Sequence, residues 1–157
     1  MRYLKMILLF FLLLIVFILW KNNSVPKNRG VIDKKLAPCS WTPNCVNSNA
    51  KKAPYKIEPL PYVSDNVLEL IQNYLRDHYN AKVMNQNSDY LYVVVTTPYL
   101  RFKDDLEFLV DRDKKLVSVR SASRVGYSDL NMNRKRIEQL RQYLESKINE
   151  RKESIPK

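Results

Sequence analysis

The alternation of apolar and polar positions divides the chain into stretches of different character. From Met6 to Trp20 every residue is apolar, and extending the run back to Tyr3 admits only Lys5. That predicts a helix just long enough to cross a bilayer, which takes roughly 20 residues. Lys5 can snorkel to the head groups, and Tyr3 and Trp20 suit the two interfaces. Beyond it, residues 21–37 are mostly Asn, Lys, Ser and Pro with little to bury, the pattern of an extended tether. Six of the eight prolines lie between Pro26 and Pro61, so residues 38–63 are expected to wrap the domain irregularly.

A helical period then appears. Val67, Leu68, Ile71, Leu75 and Tyr79 recur at three- and four-residue steps through about His78, with Ser64 as the expected cap and Asp65 in the first turn. Four strands follow, at 82–85, 90–97, 105–110 and 116–124, the last two forming a hairpin around 111–115. The second is the strongest β signal in the chain, and Pro98 ends it. A final helix from Asn131 or Asn133 to about Arg151 carries the stripe Ile137, Leu140, Leu144 and Ile148. On it, Arg134–Glu138 and Arg141–Glu145 are spaced as i,i+4 ion pairs.

These elements imply an α+β fold: an antiparallel four-stranded meander with two helices packed on one face, after an N-terminal membrane anchor. The expected organisation is an anchor or uncleaved signal over 1–20, a basic tether over 21–37, and a single domain over 38–152. Within that domain 38–63 is the wrap and 64–152 the helix–sheet–helix core. Alternation also fixes the hairpin register, placing Glu107 opposite Arg120, Asp105 opposite Ala122, and Arg124 diagonal to Asp105. The helices should cover Phe108 and Val119, leaving the charged residues on an open sheet face.

Charge and cysteines change the picture in two places. The net charge is +11, and residues 21–53 hold seven basic side chains against one acidic, so +6 of it lies in the tether and cysteine segment. Beside a membrane such a run attracts anionic lipid head groups; away from one it is a solvated linker. No zinc spacing, aromatic RNA-binding motif or basic recognition helix accompanies it, so nucleic acid is not expected as a partner. Cys39 and Cys45 are the only cysteines, in a proline-rich segment, and an even count after an export-type start favours a disulfide over free or catalytic thiols. A metal site would need two further ligands, and the lone His78 sits on a distant helix. The basic residues after the apolar run would, by the positive-inside rule, keep the domain in the cytoplasm. The short basic start and the cysteine pair point the other way, to a single-pass protein of the bacterial inner membrane with its domain in the periplasm. No small-x-small motif follows the apolar core, so an uncleaved anchor is preferred to a cleaved signal.

The candidate chemistry is concentrated in residues 120–138, where the last strand meets the last helix. Arg101, Arg120, Ser123, Arg124, Tyr127, Asn133 and Arg134 are the candidate anion-binding residues, with Asp105, Glu107 and Asp129 as supporting carboxylates. Arginine forks, hydroxyls and a helix start make a natural seat for phosphate, sulfate or carboxylate, and Gly126 lets the backbone turn closely. Two other readings stand beside it. One is an ion-paired sheet face with no further role. The other is a carboxylate-dependent hydrolase or transferase built on Asp104, Asp105 and Glu107, although neighbouring arginines would hold those groups ionised. With one histidine, and both cysteines provisionally paired, no Ser-His-Asp or Cys-His set is available. No cofactor and no metal are expected.

Two motifs carry a resemblance. The block Cys39-Ser40-Trp41-Thr42-Pro43-Asn44-Cys45-Val46 and the run Arg120-Ser121-Ala122-Ser123-Arg124-Val125-Gly126-Tyr127-Ser128-Asp129, continued by Asn133-Arg134-Lys135-Arg136, are similar to those of a bacterial and plastid family known as domain of unknown function 1499. The similarity spans roughly 38–144. It departs at Ser40, where proline is usual, and at Asn131, where a glycine is expected; Asn tolerates the same turn. The resemblance marks Arg120, Ser121, Ser123, Arg124, Gly126, Tyr127, Asp129, Asn133, Arg134 and Arg136 without assigning roles. The expected function is therefore a membrane-anchored binding or assembly module recognising an anionic group or a protein partner.

Overall fold

The computed structural model describes residues 2–153. An apolar helix, α1 (Arg2–Asn23), is followed by a small hairpin of β1 (Val31–Ile32) and β2 (Lys35–Leu36), and then by the short strands β3 (Cys45–Asn47) and β4 (Leu60–Pro61). The core follows as α2 (Val67–His78), β5 (Asn80–Gln86), β6 (Tyr90–Thr96), β7 (Lys103–Asp111), β8 (Leu116–Ser123) and α3 (Met132–Glu153). The fold is α+β with antiparallel sheets, and α1 is long and apolar enough to cross a membrane.

β5 through β8 form the expected meander, and β7 pairs with β8 so that Glu107 faces Arg120 and Asp105 faces Ala122. The sheet nonetheless has six strands rather than four. β3 and β4 both lie antiparallel on the outer edge of β8, at Cys45↔Ala122 and Leu60↔Val117. They protect an edge that a four-stranded meander would leave open. Strands of two or three residues among prolines have too little alternation to be read from sequence, and Pro61 sits where strand prolines are tolerated.

Alternation in the strands produces two cores. Leu91, Val93, Leu106, Phe108, Val117 and Val119 face α2 and α3, and meet Leu68, Ile71 and Leu75 from the first helix and Ile137, Leu140 and Leu144 from the second. Tyr90, Tyr92 and Val94 face the other way, where Leu36 covers them with Leu109 alongside. The charged sheet face is therefore not open. Residues 22–37, extended by composition, cross it: Asn22, Leu36 and Ala37 are buried, and Asp33 and Lys34 take the left-handed conformations of a two-residue hairpin turn.

Two helix details differ from the sequence reading. Asn66 rather than Ser64 precedes α2 and makes no side-chain cap; the Ser64 hydroxyl bonds to Asn66, and Asp65 is held by Tyr62 and Arg112. On α3, Arg141 pairs with Glu138 and caps the carbonyls of Glu58 and Pro59, while Arg134 reaches the carbonyl of Pro54. Both arginines tie the wrap to the helix instead of forming the i,i+4 pairs.

Candidate functional site

The β7–β8 hairpin carries a polar network on each face, because odd and even positions on β8 alternate between them. On the helix side, Asp104 accepts from Ser123 Oγ at 2.6 Å and from Arg136 Nη2 at 2.7 Å. Asn133, fully buried in the first turn of α3, accepts from Ser121 Oγ and donates to Ser123 Oγ, to the Asn44 carbonyl and to Asp129. Asp129 Oδ2 also accepts the Asn133 backbone N–H at 2.8 Å, closing the start of the helix. Leu130 and Asn131, both left-handed, bring Asp129 back over that first turn.

On the opposite face Arg120 donates to Glu107 at 3.0 Å, and Glu107 also accepts from the Tyr90 hydroxyl and from the Gly30 backbone N–H. Arg124 grips both oxygens of Asp105, Nε to Oδ2 at 2.9 Å and Nη2 to Oδ1 at 2.8 Å. Its Nη1 caps the carbonyl of Asn22 at the end of α1, and Nη2 also reaches the Tyr92 hydroxyl, which itself donates to Asp105. Arg29 lies over the Tyr92 ring, its guanidinium carbon 4.7 Å from the centroid. Burial, together with the bond to Asp105, pushes the Tyr92 hydroxyl up to about 12, and burial with the Glu107 bond raises Tyr90 further. Burial works most strongly against the charge on Arg124, but the bonds and charges of Asp105 and Tyr92 together outweigh it and raise that group.

The residues singled out in the sequence are therefore not brought to one point. Arg120, Ser123 and Arg124 line a common cleft; Asn133 and Asp129 lie behind it in the helix-side network. Tyr127 is exposed with its ring 5.9 Å from that of Trp41, Arg134 is at the surface, and Arg101 sits in a surface loop with φ +53°. Asp104 faces the other side of the sheet from Asp105 and Glu107, and each of the three is fastened to a different arginine, so the acids do not converge as a carboxylate pair. Among the described residues, no cluster of His, Cys, Asp and Glu could hold a metal ion. Cys39 and Cys45 form a disulfide, and Asn44 inside its loop donates to the Gly126 carbonyl at 2.7 Å.

The cleft has a volume of about 380 Å³ and is walled by Lys21, Ser24, Asn44, Arg120 and Arg124, with Trp20 and Trp41 at its sides. Three basic side chains border it against one acid, Asp105. The side chain of Arg120 is 3% exposed and its Nε has no hydrogen-bond partner. Sequence reasoning missed Asn22, Gly30, Asn44, Tyr90 and Tyr92. The tyrosines left a readable signal, since they alternate with Leu91 and Val93 on a strand whose apolar density masked the alternation.

A family profile described as "Protein of unknown function (DUF1499)" matches residues 35–144. No curated protein and no solved structure matches the chain.

Proposed function

The chain belongs to the DUF1499 family, whose description carries no activity, and from its own geometry we propose that it is a membrane-anchored binding module holding an anionic group in the cleft between Lys21, Arg120 and Arg124. The observation that carries this reading is a cleft wall where Lys21, Arg120 and Arg124 stand against the single acid Asp105. An anion supplies acceptors in the charge-assisted form that arginine bonds most strongly. Arg120 is already ion-paired through Nη1 and Arg124 through Nε and Nη2, so both enter the site held in place. Lys21, in the last turn of α1, brings the cleft to the end of the helix that anchors the protein.

The setting in this reading is the cell envelope, with the domain in the periplasm. The Cys39–Cys45 disulfide supports it, since such bonds persist in oxidising compartments. The partner is a small anion or the anionic group of a larger molecule, and nucleic acid has no part in it.

Calorimetric titration of the purified full chain with inorganic phosphate, and separately with sulfate, tests the cleft. Saturable binding is expected for the wild type. Lys21→Glu, at an exposed position outside both networks, should weaken binding at least about tenfold, about 1.4 kcal/mol, with the melting temperature unchanged. No saturable heat at millimolar anion, or equal affinity in Lys21→Glu, overturns the proposal.

A further inference from the structure

A second surface next to the cleft has the opposite character. A groove of about 500 Å³ runs between residues 97–102 and 125–132 and is walled mainly by Pro98, Leu100, Phe102, Val125, Leu130 and Met132. Val125 and Phe102 form its more buried part, and its rim is uncovered, with Tyr99 almost fully exposed, Leu100 71% and Leu130 87%. Contiguous apolar surface of this kind marks an interaction face.

What covers it follows from where it sits. Ile18 of α1 forms part of the groove wall. The same loop is fixed to the end of that helix, because Asn22 Nδ2 donates to the Arg101 carbonyl and Asn22 Oδ1 accepts from the Lys103 N–H, both at 2.9 Å. Ile18 lies four residues before Asn22, about 6 Å along the axis at 1.5 Å per residue. The groove floor is thus level with the apolar run of α1, which has mean hydropathy 2.7 and none of that window buried against the domain. If α1 is in a bilayer, these loops are at the depth of its outer acyl region.

Two features fit that depth. Lys21, Arg101 and Lys103 stand near the junction of helix and loop, where basic side chains meet lipid phosphates. Leu130 is held at φ +52°, a left-handed conformation that is unfavourable for a non-glycine residue. In water a branched apolar side chain gains nothing from being held there and exposed; in a bilayer it is buried.

We propose that the loops 97–102 and 125–132 are seated in the same bilayer that α1 crosses, their groove filled by lipid acyl chains, so that the domain lies against the membrane in one orientation. The proposal rests on α1 as a membrane span and is independent of the anion cleft.

Two methionines supply an internal comparison in the unaltered protein. Met132 borders the groove and is 47% exposed, whereas Met84, in β5 on the far edge of the sheet, is 45% exposed. The full chain is reconstituted at one copy per lipid nanodisc and treated with hydroxyl radicals generated in the water phase, and sulfoxide at each methionine is measured by mass spectrometry. Met132 should oxidise at least about fivefold more slowly than Met84, because oxidation follows access to the aqueous oxidant. Rates within about twofold of each other overturn the proposal. Protection of Met132 that appears only with two copies per disc assigns the face to a second copy and also overturns it. Release of the protein from membranes by alkaline carbonate shows that α1 is no anchor, and the seating fails with it. Phosphate binding bears on none of these outcomes.

Discussion

Arg124 meets four acceptors at once: two oxygens of Asp105, the Tyr92 hydroxyl and the Asn22 carbonyl. Such a residue holds the fold together whether or not it also borders a binding site. Arg124→Ala leaves Asp105 buried without its countercharge, which typically costs about 3–5 kcal/mol. Asp105→Ala should also destabilise, and the double variant should be little worse than the poorer single one, since the pair acts as a unit. Arg124→Lys should not restore stability, because an ammonium cannot grip both carboxylate oxygens and Asn22 together. Chemical denaturation of the four variants measures the coupling; strictly additive losses would contradict the clasp. The sequence made this pair legible, because strand alternation alone puts Arg124 diagonal to Asp105. Arg120, Arg124 and Arg136 each meet a carboxylate of their own. Asp104 and Asp105, adjacent in sequence, serve opposite faces of the sheet, and the further positive charge at the cleft comes from Lys21 in the stretch read as tether.

At the scale of elements, helices and long strands were legible because each repeats its period several times. β5 to β8 and α3 fall within a few residues of where periodicity puts them. β3 and β4 were not, since two or three residues cannot establish a period and their pairing depends on a long-range edge. Nothing local marked residues 22–37 as packed either: their burial comes from Asn22 and Leu36 meeting partners 54 to 102 residues away. The disulfide ties β3, already paired with β8, to the segment before it, as Cys45 is both its first residue and one end of the bridge. Opening this short loop should lower stability by about 2–3 kcal/mol on loop-entropy grounds. Amide exchange should rise at residues 45–47 before it rises in β6. Urea titration with and without reductant, with exchange followed by mass spectrometry, checks both; unchanged stability on reduction would show that β8 retains β3 without the bridge. Thiol labelling of protein taken straight from cells tests the compartment, and full labelling would favour a cytoplasmic domain.

Across the whole molecule, the end of α1 is the point where the features converge. Asn22 is bonded to the loop before β7 and capped by Arg124, Lys21 borders the cleft, and Ile18 borders the groove. A helix fixed this way is no flexible leash; in a membrane-anchored protein, as we propose, it sets where the cleft stands relative to the bilayer. The central claim remains that the cleft accepts an anion. Crystals of the full chain grown without competing anions and soaked in arsenate, a phosphate analogue whose arsenic can be located by anomalous scattering, test it most directly. An anomalous peak is expected between Lys21 and Arg120, with an arsenate oxygen within about 3 Å of the Lys21 Nζ. Peaks confined to other surfaces, with the cleft empty at millimolar arsenate, would contradict it.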